Sequence, residues 1–235
     1  NVWCAAGKGT FGTEELVRRI EATGLKDVVS HRKIIPPQLG APGVRSFEVT
    51  KRTGFRVEYG PVKASDLTGY LKTGKATPEM RRVRFPLIDR IVLIPVELVS
   101  IVLPAILATI VAFLVAGWAG ALGLVTAALA GTVLFPVLLP YLPTKDYSTK
   151  GLLLGFVLSL PFVAYQLTNQ PSGEWQTSAS ALTFPLVMMP VAAYLALNFT
   201  GATPYPSRTG VRKEIYTYIP PMAVMLGLGV FLLAV

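Results

Sequence analysis

The sequence predicts an α/β head, a partial Rossmann-like domain, followed by an all-α bundle of about five transmembrane helices. Hydrophobic residues make up 52% of the chain and charged residues only 15%, a balance that is rare in soluble proteins. The apolar residues are concentrated after position 90, whereas the earlier part alternates short strand-like and helix-like segments. We therefore place the head at residues 1–85 and the transmembrane domain at residues 86–235.

The head is predicted to alternate strands and helices. Asn1–Trp3 is typical of the end of a buried strand. At least one further strand is expected within 28–35, and another over 55–59, where apolar and charged residues alternate. Helices are expected over 13–23, 44–53 and 65–73, with Gly74 after the last of them. This alternation is typical of a parallel sheet, in which ligands bind beyond the carboxyl ends of the strands.

Five apolar segments follow the head, and each is near the ~20 residues that cross a bilayer. They are expected at about 91–118, 121–142, 151–167, 179–197 and 218–235. A basic collar precedes the first span and suits the anionic headgroups of a membrane interface. It contains Arg81, Arg82, Arg84 and Arg90. The chain begins without a lead-in and stops inside an apolar run, so we expect a fragment of a longer protein.

Lys and Arg are distributed unevenly between the predicted loops. Seventeen of the 22 precede Ile91. The other five lie in the second and fourth loops, at Lys145, Lys150, Arg208, Arg212 and Lys213. Because cytoplasmic loops are enriched in basic residues, this predicts a multi-pass protein of the cytoplasmic membrane with its head in the cytoplasm. The same topology explains the net charge of +9. Since aromatic residues are not interleaved with the basic ones, no nucleic-acid partner is expected.

The opening segment carries the only cysteine, Cys4, beside a run of small residues that leaves room for a large ligand near the backbone. A single thiol excludes an internal disulfide and any Cys-x-x-Cys site, and leaves Cys4 as a candidate metal ligand. The sequence around Lys8 superficially looks like a phosphate-binding loop. A Walker A loop, however, needs Ser or Thr directly after Gly-Lys, and here Gly9 follows. Nucleotide binding is therefore not expected.

The first eight residues resemble the signature of the corrinoid proteins of microbial mercury methylation. They are Asn1, Val2, Trp3, Cys4, Ala5, Ala6, Gly7 and Lys8. They are similar, less closely, to the large subunit of the corrinoid iron–sulphur protein of the acetyl-CoA pathway, which lacks the cysteine. The resemblance implies a cap helix whose residues bind a cobalamin-type corrinoid, with Cys4 as the lower axial ligand of cobalt. This conflicts with a strand at Asn1–Trp3.

The resemblance also implies a function. It is that of a corrinoid-dependent methyltransferase that moves a methyl group from cobalt to mercury(II), giving methylmercury, with Cys4 as the catalytic residue. The implied partners are a ferredoxin-like iron–sulphur protein, a methyl-folate donor system, the mercury(II) substrate and the membrane. Two alternatives stay open. One is a membrane-anchored corrinoid methyl carrier of one-carbon metabolism without mercury activity, and the other is a transporter with a regulatory head.

Four other side chains have both a functional and a structural interpretation. His31, the only histidine, is either a rival cobalt ligand or part of a solvated loop beside Arg32. Glu97, in the first apolar run, either lines a cavity or lies near the interface, and it motivates the transporter alternative. Met188 and Met189 are either soft mercury ligands or, more commonly for thioethers, packing residues.

Overall fold

The computed structural model describes residue 6, residues 9–169 and residues 174–233. The chain divides into two compact units, Asn1–Arg84 and Phe85–Val235. The first unit is referred to below as the head and the second as the membrane unit.

The head contains short helices joined by turns. The helices are α1 (Thr13–Ala22), α2 (Leu25–Val28), α3 (Ser46–Thr53), α4 (Leu67–Thr73) and α5 (Pro78–Arg81). The strands are β1 (Lys33–Ile34) and β2 (Arg56–Val57), and 3₁₀ turns lie at Gln38–Gly40 and Ala64–Asp66. Its core packs the inner face of α1 against α3 and β2, with Val17, Ile20, Val49, Phe55 and Val57 buried at the centre.

The predicted Rossmann-like α/β class of the head is wrong. The described part of the chain is 76% helical and essentially all-α, and its two short parallel strands form no Rossmann-like sheet. The strands pair Lys33 with Arg56 and Ile34 with Val57. Val28, which was expected in a strand, lies in α2 with 73% of its surface exposed.

The physical reason for this short sheet lies in the residues that follow each strand. Backbone hydrogen bonds extend the pairing slightly, from Glu58 N to Ile34 O at 2.9 Å and from Gly60 N to Pro36 O at 2.9 Å. Both segments then meet proline, at Pro36–Pro37 and at Pro61. Because proline has no N–H to donate, the ladder stops after a few residues.

The membrane unit is built from long helices. They are α6 (Leu87–Ile91), α7 (Ile94–Leu129), a π-helical turn (Ala130–Leu134), α8 (Phe135–Leu138), α9 (Tyr147–Asn169), α10 (Glu174–Asn198), a 3₁₀ turn (Phe199–Ala202) and α11 (Arg208–Leu233). Within the described residues, four helical stretches are long and apolar enough to cross a membrane. The sequence predicted about five spans, and the first two of these fall largely in the first of the four stretches.

The difference arises in the stretch Leu87–Leu138, which contains the first predicted span and most of the second. It includes 52 residues, and a straight helix of that length would be about 78 Å long, far more than the ~30 Å hydrocarbon core of a bilayer. The backbone leaves helical geometry at one residue only, Gly117, where φ is 61° and ψ is −156°. No loop separates the two predicted spans.

The chain reverses direction at Gly117. A Cβ atom placed on Gly120 would lie 3.0 Å from the carbonyl oxygen of Ala112, although residues eight apart in one helix are about 12 Å apart along its axis. The rings of Phe113 and Trp118 meet edge to face across the turn, with centroids 4.8 Å apart. We name residues 94–116 the first arm and residues 118–138 the second arm of this hairpin.

The other helices of the membrane unit pack through small residues. A Cβ atom on Gly151 would lie 2.5 Å from Cα of Ala193, and one on Gly155 would lie 2.7 Å from the carbonyl oxygen of Met188. This close approach of α9 and α10 is the arrangement by which membrane helices gain van der Waals contact without a hydrophobic driving force. An aromatic cluster of Phe135, Tyr147 and Phe199 fills one end of the unit.

Candidate functional site

The structure describes one of the predicted site residues, Ala6. Asn1, Val2, Trp3, Cys4, Ala5, Gly7 and Lys8 lie outside the described residues. Ala6 is buried, with 6% of its surface exposed, and its carbonyl accepts a hydrogen bond from Gly9 N at 3.2 Å. The assignment of cobalt ligation to Cys4 therefore stays a prediction, whereas the surroundings of Ala6 can be described.

Two segments of the head are clamped together directly after this motif. Thr13 N donates to the carbonyl of Gly43 at 3.0 Å, and Arg45 N donates to Thr13 Oγ1 at 2.8 Å. The hydroxyl of Thr13 therefore accepts from this neighbouring loop. A Cβ atom on Gly43 would lie 2.3 Å from the carbonyl oxygen of Phe11 and 3.2 Å from Ala6. Only glycine fits there, so the loop holds the end of the motif tightly.

The acidic residues of α1 form ion pairs both within the helix and with α3. Glu15 pairs with Arg18 and Arg19 within α1, and the hydrogen bonds from both guanidinium groups hold its pKa below the usual value. Glu14 precedes Arg18 by four residues, the spacing of a helical ion pair, but it binds Arg52 on α3 instead. The hydrogen bond from Arg52 lowers the pKa of Glu14. The tertiary pair replaces the helical one because α1 and α3 pack side by side.

His31 lies in an exposed turn of the head. Its Nδ1 accepts a weak hydrogen bond from Lys33 N at 3.4 Å, and Arg32 beside it donates to the carbonyl of Val29 at 2.8 Å. This exposed position agrees with the interpretation of His31 as part of a solvated loop. Among the described residues, no group of three or more His, Cys, Asp or Glu side chains converges as a metal site would require.

A polar cluster lies at one end of the membrane unit. The buried carboxylate of Glu214, on α11, accepts from both Ser148 N and Ser148 Oγ at 3.0 Å. Ser148 is in the first turn of α9, where backbone N–H groups lack intrahelical partners. Nearby, Tyr218 donates to Asp146 at 2.8 Å. Sequence reasoning missed Glu214; its one signal was an acidic residue between Lys213 and an apolar span.

Arg90 was predicted to belong to an exposed basic collar, and the structure buries it. It is 7% exposed, and its Nη1 donates to the carbonyls of Pro136 and Val137 at 2.8 Å each. These carbonyls belong to the end of the second arm, where helical acceptors lack partners, and a cation there is favourable. Arg90 therefore fastens the start of the hairpin to its end.

Further contacts bring the basic residues of the membrane unit to one end of its helices. Lys150 donates to the carbonyl of Leu139 at 2.8 Å, and Tyr147 shares a hydrogen bond with Thr203. The start of the first arm, the loop over 139–146 and the loop over 203–207 are therefore neighbours. We name this the basic end. Gly117 and the last turn of α9 lie at the opposite end, one helix length away.

Two apolar cavities lie between the first arm and the other helices. One has a volume of about 460 Å³ and the other about 520 Å³, and uncharged residues line both. Met188 lines the second cavity, with its sulphur 3.6 Å from the Cβ position of Gly123. Met188 is buried against Phe184 and Ala127. This position agrees with the packing interpretation of Met188. Glu97 is half-buried on the first arm, outside the lining of either cavity.

Comparison with known proteins provides no relative for this chain. No known protein family, curated protein or solved structure matches it. Functional inference therefore depends on the opening motif and on the geometry described above.

Proposed function

We propose that this chain is a membrane-bound, corrinoid-dependent methyltransferase that methylates mercury(II). The observation that carries the proposal is the opening segment, in which eight consecutive residues from Asn1 to Lys8 resemble the signature of the corrinoid proteins of mercury methylation. Trp and Cys are uncommon residues, so their match within one short string is more specific than its length suggests. The four apolar helices agree with the membrane attachment that the family implies.

The side chains available as metal ligands suit a corrinoid. A macrocycle supplies most of the ligands of its metal, so the protein need contribute only one axial donor, as thiolates do in some haem proteins. Cys4 is the only thiol of the chain, and a multi-ligand centre has no candidate cluster among the described residues. When bound, the corrinoid would supply a cobalt centre that carries and releases a methyl group.

The chain's own residues would bind and orient that group. Cys4 would hold the cobalt through its thiolate, and the small residues of the motif would leave room for the ring near the backbone. The contacts of Gly43 and Thr13 described above would restrain the end of the motif, since buried Ala6 packs directly on Gly43. Because mercury(II) is an electrophile, the bound corrinoid would have to supply the methyl group together with its bonding electrons.

Replacing Cys4 tests the proposal. In the complete chain with bound corrinoid, Cys4→Ala should reduce methylmercury formation to the background of a chain-free reaction and change the cobalt absorption spectrum. Cys4→Ser is the matched control for size, and its hydroxyl should restore neither property, because an alcohol is a poor ligand for a soft centre. Unchanged spectra and unchanged methylmercury formation in Cys4→Ala would refute the assignment.

A methyl carrier of one-carbon metabolism is the second candidate, since the opening motif also resembles the corrinoid iron–sulphur protein. The two functions differ in the methyl acceptor. With the same methylated protein, transfer to mercury(II) should exceed transfer to acetyl-CoA synthase, and the reverse ranking would favour the carrier. The transporter alternative gains no support from the cavities, because their uncharged lining offers no path for an ion.

A further inference from the structure

The two cavities of the membrane unit form one continuous apolar groove. Both are lined by Ala108 on the first arm, Leu124 on the second arm and Leu226 on α11. Along the first arm the lining runs from Ile101 to Ala116, which corresponds to about 22 Å of helix. Each cavity falls in the ~300–1,000 Å³ range of pockets that take small ligands. The groove is therefore long, narrow and apolar.

The first arm is exposed on its other side as well. Val102 and Leu103 have 51% and 66% of their surfaces exposed. In the most apolar window of this hairpin, no residue is buried within the protein. An apolar groove between such an arm and a helix bundle would contain hydrocarbon in a membrane, because water there would leave its hydrogen bonds unmade.

Charged side chains of both signs lie where the groove approaches the basic end. Glu97 precedes Ile101 by four residues, so it continues the groove-lining side of the first arm by one turn. On α11, Tyr216 and Arg212 precede Ile219 by three and seven residues and continue its lining side in the same way. The Arg212 guanidinium lies over the Tyr216 ring, 5.7 Å from its centroid.

We propose that this groove is a binding site for one phospholipid of the phosphatidylethanolamine type. An acyl chain would lie along the first arm between Ile101 and Ala116. The phosphate would meet Arg212, whose planar donors suit phosphate oxygens, and the primary ammonium would meet Glu97. A purely anionic headgroup would leave the Glu97 carboxylate without a partner, and a quaternary ammonium has no N–H to donate to it.

A second copy of the chain fits the groove less well. Two symmetry-related helices would place one Glu97 carboxylate near another, which is unfavourable in an apolar medium. The charges of Glu97 and Arg212 instead match the two charges of a zwitterionic headgroup. Both charges lie at one end of an apolar groove. A phospholipid has the same arrangement, with one polar headgroup at the end of long apolar chains.

Native mass spectrometry of the full chain can test the site. The protein would be released from nanodiscs that contain equal amounts of phosphatidylethanolamine, phosphatidylglycerol and phosphatidylcholine. We expect one retained lipid per chain, enriched in phosphatidylethanolamine. Ala108→Phe should fill the groove and reduce retention to the level of surrounding lipid. Val102→Phe, on the outer side of the same arm, is the matched control and should keep the lipid.

Substitutions of Glu97 and Arg212 test the headgroup assignment. Glu97→Gln should remove the preference for phosphatidylethanolamine over phosphatidylglycerol. Arg212→Gln should weaken retention about two- to fivefold, the scale of an exposed ion pair, whereas Lys213→Gln, an exposed cation outside the lining side of α11, should not. Equal retention of all three lipids by the wild-type chain, or an unchanged preference in Glu97→Gln, would overturn the headgroup assignment.

A measurement on the wild-type chain keeps the proposal testable if Ala108→Phe fails to fold. Phosphatidylethanolamine with a photoreactive group in its acyl chain should crosslink to groove-lining residues such as Ala105, Ala108 and Met222. Crosslinks confined to outward-facing residues such as Val102, or a dimer of chains occupying the same surface, would refute the lipid site.

Discussion

Glu58 links two parts of the head through one carboxylate. Its Oε1 accepts from the hydroxyl of buried Tyr70 at 2.6 Å, and its other oxygen pairs with Lys33. The hydrogen bond from Lys33, followed by that from Tyr70, holds the pKa of Glu58 below its ordinary value of 4.5. β1, β2 and α4 therefore meet at one ionised side chain.

This lowered pKa predicts a contribution to stability that depends on pH. Because folding favours the ionised carboxylate, the contribution is present above pH 4.5, the unfolded value, and is lost as the pH falls through the lower folded value. The protection factors of the amides of residues 56–60 in the full chain, which correct the exchange rates for the intrinsic pH dependence of exchange, should fall as the pH falls through this window. In Glu58→Gln these protection factors should be lower at neutral pH and should change less on acidification.

Glu21→Gln provides the matched control for that experiment. Glu21 is an exposed glutamate on α1, outside the contact of β1 with α4. Its replacement should leave the pH profile of residues 56–60 as in the wild-type chain. If Glu58→Gln and Glu21→Gln gave the same profile, the lowered pKa of Glu58 would have no role in holding the strands.

Among the elements, the hairpin at Gly117 determines the path of the most apolar part of the chain. One residue in a backbone region that L side chains rarely adopt reverses two helices, and the contact of Arg90 with Pro136 and Val137 closes the other end. A turn of one residue leaves few backbone groups without helical partners, which matters because unsatisfied groups are costly in a membrane.

Replacing Gly117 should therefore strain this turn. A Cβ atom there meets no neighbour within 4 Å, so the penalty comes from the backbone conformation alone. We expect Gly117→Ala to lower the free energy of unfolding by about 1–3 kcal/mol. The measurement is denaturant unfolding in detergent micelles. Gly227→Ala, in α11 with open space at its Cβ position, should be neutral or stabilising. Equal effects of the two replacements would contradict the strained turn.

For the whole molecule, the clustering of basic residues at one end of the membrane unit predicts its orientation in the membrane. Contacts among the start of the first arm, the loop over 139–146 and the loop over 203–207 place the basic residues together. Since positively charged loops are retained in the cytoplasm, we expect the basic end to face the cytoplasm and Gly117 to face outward.

Cysteine labelling can measure this orientation, because Cys4→Ser removes the only native thiol. Tyr141→Cys at the basic end and Trp118→Cys at the hairpin turn replace side chains that are 79% and 73% exposed. An impermeant maleimide should label position 118 in right-side-out vesicles and position 141 in inside-out vesicles. The opposite pattern would show that the charge distribution has been misinterpreted.

Several features of the fold were predictable from local patterns. The helix over Thr13–Ala22 follows from the periodicity of its apolar residues. The start of α5 follows from a local cap, in which Thr77 Oγ1 accepts from Met80 N at 3.3 Å. The sheet was not predictable in this way. Alternation at 55–59 indicates a strand, yet the length of a strand depends on its partner, and the partner here ends at Pro36.

The sequence by itself determined that much of this chain is apolar enough to cross a membrane, where its basic residues fall, and that Cys4 is its only thiol. These are properties of composition and order, and they need no partner segment. Only the tertiary structure decided that Gly117 reverses two helices, that Glu214 reaches the first turn of α9, and that Gly43 packs on Ala6. Such contacts join residues far apart in the chain, and no local pattern of residues encodes them.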